Sequence, residues 1–404
     1  METRIEFQDL KFKQVEIPEK KIMGEFLDHY YFSIDEQELN DISEFNIVEG
    51  GIVFNCPEKK ARQKLNILID KGLQNLVNRV RNKKTIYIHQ NSGIPLIGAG
   101  DFGLVDRGTN IIEVKPSTGC NLSCVFCSVN EGDNDYRDIL VQEEYLIEEF
   151  KNLALIKKHP IEVSINPHGE PMLYPRLKEL IKDLREIENV DVISINTNGC
   201  LLNKKNIDSF VDAGLTRINL SIHSLNKEKA SKLASGPYNL DGVLEMIKYC
   251  EGKVDVLLAP VLVPGMNEED IDDIIELAKS IKNKRFPTIG IQNFLNYKGG
   301  RNVAEQMPWE IFFELLKRKE KEHNIKLIIE ENLFNIEYDE TLPKPFKKGQ
   351  MIKVEIKSPG RSKNEVIAIS EQRNITVINP RKFSGFMTVK LIRDKHNIYT
   401  AVPT

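Results

Sequence analysis

The chain has 404 residues, of which 41% are hydrophobic and 29% charged, and its formal net charge is −4. That length is enough for two or three domains, each able to bury a hydrophobic core. No apolar run reaches the roughly 20 residues that a membrane-spanning helix needs, and the six cysteines include three in one loop, so a membrane-spanning protein and a disulfide-rich secreted protein are both excluded.

Charge is unevenly distributed along the chain. Residues 344–404 hold 13 basic and 4 acidic residues, so this segment carries +9 while residues 1–343 carry −13. A basic segment joined to an acidic body predicts that the segment contacts a polyanion. The first residues, METRIEFQDLKFKQ, do not have the pattern of a signal peptide, and we therefore expect a cytoplasmic protein.

Residues 1–105 contain no motif that identifies a function, and we interpret them as an N-terminal α+β accessory region. Within it, segment 59–84 has apolar residues near helical spacing from Leu65 to Val80, which predicts an amphipathic helix. The nine basic residues of this segment allow two interpretations: the helix lies along RNA, or it packs on the main domain with a solvated face. Residues 93–110 are glycine-rich, and a phosphate-binding loop there is a weak prediction.

The segment CNLSCVFC, residues 120–127, brings three cysteines into one short loop: Cys120, Cys124 and Cys127. A closed structural zinc site has four protein ligands, so zinc would need a distant fourth ligand. Three thiolates on a four-iron cluster would leave one iron open for a substrate. Phe126 gives the loop an aromatic face beside the metal centre.

From residue 111 onward, predicted strands and helices alternate. The strands are predicted at 111–115, 161–166, 190–196, 216–222, 254–262 and 288–294. The helices are predicted near 143–157 and at 175–187, 204–213, 226–234, 241–250, 268–281 and 308–322. This alternation predicts an α/β fold with a parallel sheet and right-handed crossovers, and we interpret it as a partial (β/α)6 TIM-like barrel.

Four polar or glycine-containing motifs follow the second to fifth strands, where active sites form in parallel barrels. They are HGEP (168–171), Asn196-Thr197-Asn198-Gly199, LSIHS with Ser221, and PVLVPGMNEEDI (260–271) with Val263.

Together with the cysteine loop, these motifs resemble those of the radical S-adenosylmethionine (radical SAM) superfamily. The resemblance covers residues 111–300, and it implies that Cys120, Cys124 and Cys127 hold a [4Fe–4S] cluster whose open iron chelates SAM. One electron from the cluster would cleave SAM to methionine and a 5′-deoxyadenosyl radical, which abstracts a hydrogen atom from the substrate. The implied SAM contacts are Phe126, Gly169, Glu170, Pro171, Asn196, Thr197, Asn198, Ser221 and Val263, with Glu170 holding the SAM ammonium group. His168 and His223 depart from the family pattern, which has Gly and often Asp at these positions.

Four residues near the predicted strand ends have two interpretations each. His168 and His223 could relay a proton or bind substrate, or be structural histidines. Cys200 could be a catalytic thiol or a buried apolar residue. Arg301, in the YKGGR segment, could bind a phosphate or carboxylate of the substrate or lie in a surface turn.

After residue 335 the pattern changes. The acidic, proline-containing segment 336–345 is interpreted as a linker between a core at 106–335 and a C-terminal domain at 346–404. That domain has five short alternating runs separated by Pro, Gly, Asn and Asp, which predicts a small antiparallel β-barrel.

The C-terminal barrel resembles a TRAM domain, an OB-like module of RNA-modifying enzymes, and the whole chain is similar to radical SAM proteins of the archaeal type predicted to be Fe–S oxidoreductases. Such barrels bind nucleic acid through a basic face. The candidate RNA contacts are Arg361, Lys363, Arg373, Arg381, Lys382, Arg393 and Lys395, with Phe383 and Phe386 for base stacking. The alternative is a barrel that docks on its own acidic body.

The cysteine loop and the basic barrel together predict a radical SAM enzyme that modifies RNA, with tRNA the favoured substrate and a low-potential electron donor such as ferredoxin or flavodoxin. No membrane partner is expected. One alternative is a radical SAM enzyme acting on a protein, peptide or small metabolite. Another is a non-catalytic zinc-binding RNA adaptor.

Overall fold

The chain begins with strands that form two sheets. The computed structural model describes residues 2–15, 21–131 and 135–404. The elements up to residue 88 are β1 (Thr3–Glu6), β2 (Leu10–Val15), β3 (Lys21–Phe26), β4 (Tyr30–Asp35), α1 (Glu36–Asn40), β5 (Phe45–Val48), β6 (Gly51–Phe54), α2 (Glu58–Leu73), β7 (Val77–Asn78) and β8 (Lys83–Ile88). One sheet has the order β1-β6-β5, and the other runs β8-β7-β4-β3-β2 and gains a sixth strand from the core.

The helix predicted over 59–84 is shorter than expected. It ends at Leu73, and the chain then forms the strands β7 and β8, with Val80 63% exposed. Gly72 lies so close to the Phe32 ring that a Cβ there would come within 2.2 Å of it, which presses the helix onto β4. The helix therefore packs on strands of the N-terminal region, whereas the second interpretation placed it on the main domain. Its buried residues are Ala61, Leu65, Ile69 and Gly72.

The middle of the chain is an α/β unit, which confirms the predicted fold class. Its elements are β9 (Gly103–Asp106), β10 (Ile111–Lys115), β11 (Thr118–Gly119), β12 (Asp138–Val141), α3 (Glu143–Ala154), β13 (Ile161–Ile165), β14 (His168–Gly169), α4 (Leu177–Arg185), β15 (Val190–Thr197), α5 (Lys204–Ala213), β16 (Arg217–Leu220), α6 (Lys227–Ala234), α7 (Leu240–Cys250), β17 (Asp255–Leu258), β18 (Val261–Leu262), α8 (Ile271–Ser280), β19 (Gln292–Asn293) and α9 (Trp309–His323). Short 3-10 helices occur at Gln90–Ser92, Pro171–Leu173, Glu268–Asp270, Glu331–Phe334 and Lys395–Asn397.

The main sheet has the order β17-β16-β15-β13-β10-β9. Its strands are parallel except for β9, which pairs antiparallel with β10. β13 and β17 are buried at every position, as expected for strands of a parallel sheet that is covered on both faces. No helix in the described part of the chain is long and apolar enough to cross a membrane.

Two details of the core differ from the expectation. The sixth strand, predicted over 288–294, is reduced to a bridge between Leu258 and Ile289 and to the two-residue pairing of β18 with β19. In addition, β12, which follows the cysteine loop, pairs with β8 and completes the N-terminal sheet. The cysteine loop is therefore bracketed by one strand from the core sheet and one from the N-terminal sheet.

The C-terminal segment forms a closed five-stranded barrel, which confirms the predicted small barrel. Its strands are β20 (Met351–Pro359), β21 (Glu365–Ser370), β22 (Arg373–Ile378), β23 (Gly385–Arg393) and β24 (Thr400–Pro403). The prediction that it is wholly antiparallel is wrong, because β22 and β24 pair in parallel to close it. Tyr399 is fully buried in its core and donates its hydroxyl to Asn397 Oδ1 at 2.8 Å, which satisfies the polar end of the ring.

Backbone hydrogen bonds fix the barrel to the body. The Asn374 amide donates to Ile97 O and the Tyr399 amide to Gly98 O, each at 2.8 Å. Gly98 has φ +126°, and a Cβ there would come within 2.1 Å of Asn374 O. The glycine-rich segment 93–110 therefore allows close approach of the barrel at this point, and the contacts do not support the weak prediction of a phosphate-binding loop.

Candidate active site

The cysteine loop leaves the carboxyl end of β10 through the short strand β11. Its backbone is tied to the end of α6, because the Ser123 amide donates to Ala234 O (3.2 Å) and the Val125 amide to Leu233 O (2.9 Å). Within the loop, the Cys127 amide donates to Cys124 O at 3.1 Å. These bonds hold the loop that carries all three cysteines, each of which is half-buried.

N–H groups point at two of the three cysteine sulfurs. The Leu122 amide lies 3.4 Å from Cys120 Sγ, and the Glu131 amide lies 3.3 Å from Cys127 Sγ. The Asn198 side-chain amide is 3.8 Å from Cys120 Sγ. Such donors stabilise negative charge on sulfur, which suits thiolates bound to a metal centre.

Burial raises the pKa of the Cys120 and Cys124 thiols to about 12, and burial also raises the pKa of Cys127. Without a metal the three groups are therefore neutral thiols at pH 7. A metal centre must displace their protons in order to bind them as thiolates. Three convergent thiols with N–H donors beside them fit an iron–sulfur cluster by the chemistry of the donor set.

Arg301 binds the cysteine loop through several hydrogen bonds, although it is distant from that loop in sequence. Its guanidinium donates to Ser123 Oγ (2.8 Å), Cys124 O (3.0 Å) and Glu131 O (2.9 Å), and its amide donates to Cys127 O (2.9 Å). With its donors directed into the loop, Arg301 is not placed to bind substrate. The YKGGR segment does form an exposed turn, in which the Gly300 amide donates to Tyr297 O at 3.0 Å, but Arg301 itself folds back onto the cysteine loop. No local pattern reveals this contact, because it depends on the fold.

The HGEP element lies directly beside the start of the cysteine loop. β14 pairs with β11 in parallel, so that Gly169 lies opposite Gly119. Gly169 has φ +150°, and a Cβ there would come within 1.9 Å of Gly119 O. Only glycine fits this approach. Pro171 is buried and begins the 3-10 helix that follows, a position that suits its missing N–H.

Glu170 links the second and third motifs. Its carboxylate accepts hydrogen bonds from Thr197 Oγ1 (2.6 Å), the Asn198 amide (2.9 Å) and the Met172 amide (3.1 Å). The Asn198 side chain in turn donates to Asn121 Oδ1 at 2.8 Å, in the cysteine loop. Burial raises the pKa of Glu170 to about 7, so this carboxyl changes its charge near neutral pH.

Phe126 and Val263 meet in one small apolar cluster beside the cysteine loop, together with Leu233 and Phe294. Cys124 packs against the same cluster. The structure therefore brings the first and fifth motifs together.

Asn267, which sequence reasoning did not single out, fixes the fifth motif. Its side chain accepts from the Val263 amide (2.8 Å) and donates to His223 O (2.9 Å) and Val261 O (3.0 Å). It is fully buried. A buried Asn that satisfies three backbone groups stabilises a loop strongly, which explains an Asn in the PGMNEE segment.

Asn196 and Ser221 lie at the carboxyl ends of β15 and β16. Asn196 Oδ1 accepts from the Asn219 side chain (2.6 Å), which ties β15 to β16. The Ser221 amide donates to Thr197 O (2.9 Å), at the end of β15. Their described hydrogen bonds place both near the same edge of the sheet and connect neither to the cysteines.

The two histidines have surroundings that favour the structural interpretation. Burial, with the charge of Lys115, lowers the pKa of His168 to about 3, and burial lowers that of His223 to about 4. His223 Nδ1 accepts the Val261 amide hydrogen at 3.1 Å, and its ring meets Phe126 edge-on at 4.6 Å between centroids. A neutral His223 therefore supports the Phe126 ring. Burial raises the pKa of the Cys200 thiol, which disfavours a role as nucleophile.

The chain is similar to several known proteins. The sequence model of the Radical SAM superfamily matches residues 114–278. An uncharacterized protein of Methanocaldococcus jannaschii is 35% identical, with 90% of this chain and 94% of the relative covered. GTP 3′,8-cyclase of Aquifex aeolicus is 30% identical, with 61% and 78% covered. Among solved structures, Streptococcus suis SuiB bound to S-adenosylmethionine has a TM-score of 0.41 and 14% identity, covering 80% of this chain and 71% of SuiB.

Proposed function

The chain belongs to the radical SAM superfamily, and from this premise we propose that it modifies RNA, with tRNA the favoured substrate. As a member it is an enzyme of this class, and its cofactors are a [4Fe–4S] cluster and SAM. The observation that carries the RNA proposal is the exposed basic and aromatic surface of the C-terminal barrel. Membership in a class of enzymes argues against the non-catalytic zinc-binding adaptor.

We propose that Cys120, Cys124 and Cys127 hold the cluster. When bound and reduced, the cluster supplies the electron that cleaves SAM to methionine and a 5′-deoxyadenosyl radical. Glu170 uses three of the four lone-pair sites of its carboxylate on protein donors, which leaves one for the amino group of SAM. The apolar cluster of Phe126 and Val263 supports a site for the adenine. Thr197 and Asn198 would line the pocket between them, at the turn that Glu170 holds.

The pKa of Glu170 predicts how SAM binding depends on pH. Because this pKa is raised to about 7, the carboxylate is ionised above that value and protonated below it, so affinity falls as the pH drops. If only the ionised form binds, the Kd for SAM at pH 6 is about tenfold that at pH 8. Calorimetry on the reconstituted protein measures it. The control is Glu170→Gln, which binds more weakly and lacks this carboxyl titration, while any protonation of SAM itself is common to both proteins.

The surface proposed for RNA lies on the barrel face where Phe383 and Phe386 are 59% and 55% exposed. Lys353 Nζ lies 4.7 Å from the centre of the Phe386 ring, a cation beside an aromatic face that suits a nucleobase and its phosphate. Arg381 and Lys382 line a shallow groove of about 390 Å³ next to Phe386.

Three of the candidate RNA contacts have partners within the protein: Arg361, Arg373 and Lys363, the last in an exposed ion pair with Asp135. Arg361 is buried and ion-paired with Glu131, so its prediction as an RNA contact is wrong. Arg373 donates to Pro343 O at 3.0 Å and is half-buried. The candidates that stay exposed are Lys363, Arg381, Lys382, Arg393 and Lys395.

Five further assignments belong to this proposal: four segments of the chain and the electron donor. We interpret residues 1–105 as an accessory region, 106–335 as a partial TIM-like barrel, 336–345 as a linker and 346–404 as a TRAM domain. The low-potential donor would be a ferredoxin or a flavodoxin. These assignments rest on the sequence patterns and the order of the elements.

A second candidate substrate is a small metabolite, and a purine nucleotide is the specific case. It is favoured by the similarity to an enzyme named GTP 3′,8-cyclase, of which the chain covers 78% at 30% identity. A single assay separates the two. Reduced, reconstituted enzyme is incubated with SAM and either total tRNA or GTP, and 5′-deoxyadenosine is quantified. The proposal predicts stimulation by tRNA and none by GTP; the reverse pattern would establish the nucleotide as substrate.

A further inference from the structure

Charged residues from three parts of the chain meet directly behind the cysteine loop. Glu131, four residues after Cys127, pairs with Arg81 of the N-terminal region at 3.5 Å and with Arg361 of the C-terminal barrel. Arg81 also pairs with Asp138 at the start of β12. Two arginines and two carboxylates thus form a chain of ion pairs.

All four side chains of this group are buried. Their exposed fractions are 9% for Arg81, 3% for Glu131, 2% for Asp138 and 8% for Arg361. Charges in such a setting are stable only when paired, and removing one partner leaves the other uncompensated. The position of Glu131 is therefore fixed by Arg81 and Arg361 and not by solvent.

Glu131 connects this charge network to a cysteine sulfur. Its backbone amide donates to Cys127 Sγ at 3.3 Å, and its carbonyl accepts from the Arg301 guanidinium at 2.9 Å. The residue is thus held at both its side chain and its carbonyl while its N–H points at the sulfur. Hydrogen bonds to cluster sulfurs are one of the protein's means of setting a cluster's reduction potential.

The barrel loop that carries Arg361 is itself fixed to the segment after the cysteine loop. The Arg137 amide donates to Arg361 O at 2.8 Å, and the Arg137 guanidinium donates to Gly360 O at 3.3 Å. Lys363, two residues further on, makes an exposed ion pair with Asp135. The barrel therefore reaches the cysteine loop through one defined loop, which begins where β20 ends.

We infer that Arg361 is a positioning residue for the cluster site. With Arg81 it holds Glu131 so that the Glu131 amide donates to the Cys127 sulfur, which raises the reduction potential of the cluster. Because Arg361 belongs to the barrel, docking of the barrel is a condition for easy reduction of the cluster. The inference rests on the proposed function in one respect, namely that Cys127 is a cluster ligand.

The test is a redox titration of the anaerobically reconstituted, full-length protein, followed by the electron paramagnetic resonance signal of the reduced cluster. In Arg361→Met, with unchanged iron content, we expect the ratio of reduced to oxidised cluster at a fixed potential to fall about tenfold, equivalent to about 59 mV for one electron. Arg361→Lys keeps the positive charge but loses the planar guanidinium with its several N–H donors, so we expect a smaller shift of the potential in the same direction. The matched control is Lys390→Met, which removes an exposed positive charge from β23 of the same barrel, away from the loop that carries Arg361, and should leave the potential unchanged.

A double variant separates positioning from simple charge. In Arg361→Met/Glu131→Gln the local net charge equals that of the wild type, yet residue 131 has lost its ion pairs with Arg361 and Arg81, and we expect the potential to stay low. A return to the wild-type potential would overturn the inference, as would an unchanged potential in both Arg361 variants with an intact cluster. If Arg361→Met does not fold, the reduction potential of Arg361→Lys alone tests the inference. A wild-type protein that takes up no cluster refutes the proposed function itself, which is a distinguishable result.

Discussion

Replacing Cys124 with alanine should abolish the cleavage of SAM and the broad absorption near 400 nm, roughly where thiolate–iron clusters absorb. Cys124 lies in the middle of the cysteine loop, packs against the apolar cluster of Phe126, and is held through its carbonyl by Arg301. With two thiolates left, the cluster has too few ligands to be retained. We expect the rate of 5′-deoxyadenosine formation to fall on the order of 10⁴-fold or more, as when an essential catalytic group is lost.

The matched control for this prediction is Cys250→Ala. Cys250 is also a buried thiol, but it lies at the end of α7, away from the loop, and its pKa is raised by burial to about 12. This variant should keep the wild-type iron content and rate. If Cys124→Ala also retained its iron and cleaved SAM at the wild-type rate, the cysteine loop would not be the cluster site.

The second large effect is expected on RNA affinity. Neutralising four exposed basic residues of the barrel removes up to four phosphate contacts, while the buried ion pair of Arg361 is left intact. Each phosphate contact contributes about 0.7 to 0.9 to the slope of log K against log salt concentration, so the magnitude of this slope should decrease by about three. The affinity for tRNA should fall at least about 100-fold at 0.1 M salt. The variant is Arg381→Gln, Lys382→Gln, Arg393→Gln and Lys395→Gln combined, measured by filter binding over a salt series.

A control variant with the same change in net charge separates the effect of the basic residues of the barrel from the effect of the protein's overall charge. Four exposed helix lysines of the core are replaced by glutamine, which makes the protein equally more acidic without touching the barrel. We expect an unchanged salt slope. If both variants lost the same amount of tRNA affinity, the barrel would have no specific role in RNA binding and would serve only to dock on the body of the protein. The control positions are Lys178, Lys182, Lys205 and Lys232.

Much of the fold follows from local pattern. The alternation after residue 111 predicted the α/β class, and the short alternating runs after 346 predicted the five strands of the barrel. Both succeed because strand and helix periods are set by which face of an element is buried. The parallel pairing of β22 with β24 was not predictable in this way, since strand pairing joins residues far apart in sequence.

The motifs were predictable, whereas the residues that hold them in place were not. Gly169 and Glu170 are recognisable because glycine and a carboxylate occur at a strand end, and the structure brings them beside the cysteine loop. Arg301 and Arg361 reach the same loop from distant positions in the chain, and an isolated arginine gives no sign of its partner. The end of α2 at Leu73 was also not predictable from the local sequence. The helical pattern continues beyond Leu73, but the pairing of β7 with β4 and β8 overrides it.

The measurement that tests the central claim most directly is mass spectrometry of nucleosides from tRNA and ribosomal RNA of a strain that lacks the gene. The account predicts that one modified nucleoside disappears, returns with the wild-type gene, and does not return with a Cys124→Ala copy. A nucleoside profile that is identical with and without the gene would contradict an RNA substrate and leave a protein, peptide or small metabolite in its place.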